Sequence, residues 1–174
     1  MASGCYALLQ TREYFDTNIL RVLYFTLIHT HLSYCIESWG WTYSTYLEPI
    51  KKLQKRALRI ISFSSYTAHS KALFTKLRVL PLNLLREKRT AECVYKIVTN
   101  NLPFDISIFN IPPLSTRSRT YGNFNLPVKR NVYGERLLEF TGAKIWNNLP
   151  HDLKTAYNFS IGIKNYYLIK NDTL

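Results

Sequence analysis

The sequence predicts a mainly α-helical fold, with a helical bundle followed by a basic irregular connector and a small C-terminal helical unit. Three observations lead there. Apolar residues recur at three- and four-residue steps through 19–36 and again through 47–61, which is the spacing of a helix face and not the alternation of a strand. Pro81 and Pro103 each close an apolar-striped run. Between 110 and 133 no such stripe persists, and Pro112, Pro113 and Pro127 share the stretch with Ser, Thr and the cations Arg117, Arg119, Lys129 and Arg130. The expected divisions are therefore a bundle over 1–103, a connector over 104–133 and a C-terminal unit over 134–174.

Asp16 or Thr17 can cap a first long helix running to about residue 35. Leu20, Leu23, Leu27, Ile28 and Leu32 form its stripe, and Tyr24, Phe25 and Ile36 widen it, so this helix should be buried on most sides. Trp39-Gly40-Trp41 should end it, glycine permitting the reversal. The same 19–36 window is long enough to raise the question of a membrane span. Arg21, His29 and His31 within it argue for a buried helix instead.

Ser44 is the expected N-cap of the next helix, over about 45–63, with Pro49 near its first turn. At about 100° per residue, Lys51, Lys52, Lys55, Arg56 and Arg59 fall on less than half the circumference. Leu47, Ile50, Leu53, Ala57, Leu58, Ile60 and Ile61 fill the opposite arc. Solvated helix faces usually mix signs, because like charges one turn apart repel. A ridge of five cations therefore points to a polyanion, with a plain solvated face as the alternative.

A third helix is expected over 67–78, with Leu73, Phe74 and Leu77 inward. A fourth should start at Leu82, with Leu84, Ala91, Val94, Tyr95, Val98 and Leu102 along one side and Arg86, Arg89, Glu92 and Lys96 outside. Asn100-Asn101 and Pro103 stop it. The connector reads as a flexible strap or as a basic strap that tracks phosphates. Beyond it, 136–140 suggests a short strand or extended segment. A short helix carrying Ile145 and Trp146 and a last helix over about 158–169 follow.

Composition bounds the function. Lys and Arg number 23 against 11 Asp and Glu in 174 residues, a net charge of +12, which favours nucleic acid, an anionic membrane surface or an acidic protein as partner. Apolar residues at 47% exclude a disordered chain. Cys5, Cys35 and Cys93 are odd in number and far apart, forming neither a disulfide framework nor a zinc motif, so a reducing intracellular compartment, nucleus or cytoplasm, is expected. Met1 to Gln10 lacks the basic region and apolar run of a signal peptide.

Two-metal chemistry needs clustered carboxylates, and Asp16, Asp105, Asp152 and Asp172 are isolated. His31 and Cys35 have helical spacing, but nothing marks an orienting group or oxyanion hole. No metal, cofactor or catalytic residue is expected. Tyr43, Tyr46, Tyr66 and Tyr121 lie near cations and could stack on bases, although a tyrosine at a core edge is the commoner case.

Several runs together resemble the C-terminal, thumb and post-thumb, region of non-LTR retrotransposon reverse transcriptases of the jockey and chicken-repeat type. They are Leu23 to Gly40, with its His31-Leu32 and Trp39-Gly40; Leu53-Gln54-Lys55-Arg56-Ala57-Leu58-Arg59-Ile60-Ile61; Leu80-Pro81; Thr116-Arg117-Ser118; and Gly142-Ala143-Lys144-Ile145-Trp146-Asn147-Asn148-Leu149-Pro150. They stand in the family's order and cover nearly the whole chain. Ala143 stands where the family usually has Pro, and 159–164 lacks the first Lys of its closing block.

The resemblance places the family's catalytic aspartates before Met1. It implies a truncated, non-catalytic part of an RNA-directed DNA polymerase that grips RNA, DNA or an RNA–DNA hybrid through phosphates, with an intact reverse transcriptase as a protein partner and no membrane. The expected contacts are Lys51, Lys52, Lys55, Arg56, Arg59, Arg117, Arg119, Lys129 and Arg130. The alternatives are a protein-interaction or scaffold domain with a basic face, and a degenerate retroelement product without function.

Overall fold

The structure, a computed structural model, describes residues 1–113 and 122–173. Arg117, Arg119 and Tyr121 lie outside the described residues. The fold is mainly α-helical, and among the described residues no strand forms, only an isolated bridge between Asn110 and Asn125. The chain makes two compact units, one of Met1–Ile36, Thr42–Leu85 and Leu168–Leu174, the other of Glu37–Trp41 and Arg86–Tyr167. These bounds differ from the expected breaks at 103 and 133. One reason is that Tyr95 stacks on Phe159 at 4.2 Å, joining residues before the connector to residues after it.

The first unit opens with α1 (Ala2–Thr11) and α2 (Thr17–Tyr24). Asp16 caps α2, its side chain accepting the Ile19 N–H at 3.0 Å. A π-helical turn over Phe25–His29 leads into α3 (Thr30–Ser33). That turn explains the burial. Leu20, Tyr24, Ile28 and Leu32, every fourth residue, are all 0% exposed. In an unbroken α-helix, 12 residues would leave Leu32 about 120° round from Leu20. One extra residue taken up in the wide turn cuts the drift to about 20°. The expectation of burial on most sides was too broad, because Ile19, Val22 and Leu27 are exposed. The helix also ends earlier than Trp39-Gly40-Trp41: Cys35 takes a positive φ of 47°, and only a single turn, α4 (Ile36–Trp39), follows.

Helix α5 (Ser44–Ile61) buries Leu47, Ala57, Leu58, Ile60 and Ile61 and packs against α1, α2 and α6 (Ser70–Leu77). Each fully buried aliphatic side chain contributes about 1.5–3 kcal/mol. Ser44 is the first helical residue and Tyr43 the N-cap, so Pro49 sits in the second turn and not the first. The third helix starts later than expected, at Ser70, and ends where Arg78 turns left-handed at φ 51°.

Gln54 lies within the apolar face of α5 and is only 1% exposed. Its Nε2 donates to Tyr24 Oη at 3.1 Å and to the Leu80 carbonyl at 3.0 Å. Its Oε1 accepts the Leu82 N–H at 3.0 Å, satisfying an otherwise orphaned donor at the start of α7 (Leu82–Val98). One side chain therefore ties α5, α2 and the Leu80-Pro81-Leu82 step together.

The core of the second unit is aromatic. Besides the Tyr95–Phe159 stack, Phe109 lies on Phe124 at 4.6 Å, and Trp146 is 3% exposed between Phe124 and Phe159. The stretch expected to be extended, 136–140, instead enters α8 (Leu138–Asn147) after a 3-10 turn over Gly134–Arg136. Leu138 begins a helix because Thr141, Gly142, Ala143, Ile145 and Trp146 continue one buried face. Helices α9 (His151–Lys154) and α10 (Phe159–Thr173) complete the described chain.

Arg86, Arg89 and Glu92 are half-buried, contrary to the expectation that they lie outside. The Arg86 guanidinium sits 4.3 Å from the Trp41 ring centroid and donates to the Gly40 carbonyl at 2.9 Å. Burial pulls its pKa down from the ordinary arginine value. Arg89 lies 3.5 Å from both Glu37 and Glu92, and Glu92 pairs with Lys88 at 2.7 Å.

Candidate nucleic-acid interface

Helix α5 is unbroken through the five predicted cations, and its opposite face is buried. The five differ in circumstance. Lys52 and Arg56 are exposed, while Lys51, Lys55 and Arg59 are half-buried. Lys51 pairs with Glu48 at 2.7 Å. Arg59 donates its Nε–H to the Ala68 carbonyl at 2.9 Å, bracing the loop after α5. Lys52, Lys55 and Arg56 make no ion pair with any described residue. They form the core of the ridge.

Sequence reasoning passed over Glu48. At about 100° per residue it lies roughly 60° round from Lys51, inside the cationic arc, and its i,i+3 spacing to Lys51 was the available signal. The hydrogen bond and charge of Lys51, with Lys55 and Lys52 close by, hold its exposed carboxyl below the ordinary range. Gln54 was also passed over, sitting unremarked among the apolar positions. Beside the ridge lies a cleft of about 260 Å³ whose wall includes Lys51, Lys55, Glu48, Gln54 and Asn83.

Of the connector cations, the described Lys129 and Arg130 belong to the second unit. Lys129 is half-buried and ion-paired with Glu139. Arg130 is exposed and makes no ion pair with a described residue. Tyr43, Tyr46 and Tyr66 are exposed, with the rings of Tyr43 and Tyr46 edge to face at 6.5 Å.

Among the described residues, no group of three or more His, Cys, Asp or Glu could hold a metal ion. Nor is any helix of the described residues long and apolar enough to cross a membrane. All three cysteines are free, Cys5 buried and Cys35 exposed. No family model, curated protein or solved structure matches the chain.

Proposed function

We propose that this chain holds nucleic acid by its phosphate backbone, without sequence preference and without catalysis of its own, in the manner of the reverse-transcriptase thumb region that its sequence resembles. The ridge of α5 makes the contacts. What carries this reading is the placement of Lys52, Lys55 and Arg56 on one side of a continuous helix, none of them neutralised by a described carboxylate, with the other side anchored in a core. Such a ridge releases condensed counterions when it meets phosphates, so binding weakens steeply with salt. Arg59 and Lys51 serve it as well, after exchanging their present partners for phosphate.

The test is fluorescence anisotropy of a labelled RNA–DNA hybrid over about 50 to 200 mM salt. Replacing Lys52, Lys55 and Arg56 together with alanine should flatten the plot of log affinity against log salt by roughly two to three units. A slope that does not change removes the ridge from the interface.

A further inference from the structure

The Trp146-Asn147 pair builds something that the ridge does not use. Trp146 donates its indole N–H to the Gly122 carbonyl at 2.9 Å. Asn147 grips Phe124 at two points, accepting its N–H and donating to its carbonyl, both at 2.8 Å. Asn125 then donates its N–H to the Asn110 carbonyl at 2.7 Å. Held this way, the segment from Gly122 to Phe124 lines a cavity of about 330 Å³ within the second unit. That volume lies at the lower end of the range of small-molecule sites, about 300–1,000 Å³.

The lining is unusual in its balance. Phe124, Trp146, Ile106, Ile111 and Val98 make it largely apolar, and none of its described residues is acidic. Yet Lys154 is part of it. The ammonium donates to Asn123 Oδ1 at 2.7 Å and lies 5.8 Å from the Trp146 ring centroid. It makes no ion pair with a described residue. Burial alone pushes its pKa below the ordinary lysine value. A half-buried ammonium without a carboxylate is electrostatically incomplete, and an anion entering the cavity would complete it. The aromatic rings favour a flat partner, which can meet them edge-on or offset.

We propose that this cavity is a binding site for a small organic anion with a flat apolar body, its charged group on Lys154 and its body against Phe124, Trp146 and Ile106. The site uses different residues from the ridge, in the other unit, and stands or falls without it.

The experiment uses the full chain labelled with nitrogen-15, titrated with adenosine 5′-monophosphate and, separately, with 2-naphthoate. The Trp146 indole N–H resonance, assigned by its loss in Trp146→Phe, reports occupancy. At least one of the two anions should bind saturably and shift that resonance. Its uncharged counterpart, adenosine or 2-naphthalenemethanol, should bind at least about tenfold more weakly to the unaltered protein. Lys154→Gln should weaken the anion by a similar factor. Ile106→Trp, which fills the cavity and keeps the charge, should abolish the shift. The proposal is overturned if neither anion moves the resonance at millimolar concentration, or if the neutral counterpart binds as tightly. It is also overturned if a folded Lys154→Gln protein binds unchanged. Because the comparison of charged and neutral probes needs no variant, misfolding of a mutant cannot shield the idea.

Discussion

Gln54→Leu is the most informative single change for the first unit. Leucine has similar bulk, so little cavity opens, but three hydrogen bonds disappear at once: those to Tyr24 Oη, to the Leu80 carbonyl and from the Leu82 N–H. Each buried group left without a partner costs about 1–3 kcal/mol. Burying an aliphatic side chain where an amide stood offsets about 2 kcal/mol. The expected net loss is roughly 3–5 kcal/mol, a large part of the 5–15 kcal/mol typical of a domain. Urea titration followed by far-UV circular dichroism measures it. Tyr24→Phe should lose only about 1 kcal/mol, since Gln54 keeps both backbone partners. Should Gln54→Leu lose less than about 1 kcal/mol, the glutamine would not be the tie described above.

Other changes test other elements. Glu48→Gln removes the one acid on the ridge and releases Lys51, so affinity for an RNA–DNA hybrid should rise and the salt slope should steepen by up to about one unit in the same anisotropy assay. Burial pushes Tyr24 from its ordinary 10.0 up to about 12, so the unfolded state gives up its proton first. The stability that Tyr24 contributes should be intact below pH 10 and fall between about pH 10 and 12 by roughly 3 kcal/mol. Tyr24→Phe should make the limb shallower by that amount in alkaline denaturation, leaving the part due to Tyr167, Cys5 and Cys93, which burial also pushes up. A Cβ at Gly142 would stand 3.0 Å from Val94 Cγ2, 3.2 Å from Phe109 Cε1 and 3.3 Å from Leu138 Cδ1. Gly142→Ala should therefore destabilise by about 1–2 kcal/mol in thermal melts, despite the better helix propensity of alanine. Cys35→Gly should do the reverse, gaining up to about 1 kcal/mol at an exposed residue of φ 47°.

The helical class was legible because its signal is periodic and long. The apolar arc of α5, the Asp16 cap, the start at Leu82 and the stop at Asn100, where φ is 53°, all follow from local rules. What escaped was set by tertiary context. The stripe of α2 and α3 looked broad because Leu23 and Leu27 fit an α-helical period, whereas the buried set follows a four-residue period that requires the π turn. Residues 136–140 carry too little pattern to choose between strand and helix until Gly142 and Trp146 find Val94 and Phe159. On the ridge, the positions of the cations were readable from spacing. Their partners were not: Arg59 meets Ala68 through the fold of the loop, and Gln54 meets residues 26 to 30 positions away.

The π turn makes the first unit tolerant of one length change in one particular place. Deleting a single residue from Phe25–His29 would let the segment rewind with ordinary i→i+4 bonds, gaining backbone regularity. Leu20 and Leu32 would then be separated by about 1100° of plain α-helix, which is about 20° past three full turns, so Leu32 keeps its buried place. Straightening the turn without the deletion would instead carry it about 100° toward water. A one-residue deletion here is thus a shortening and not a rotation error, and the wide turn acts as a phase-keeping store for the extra residue.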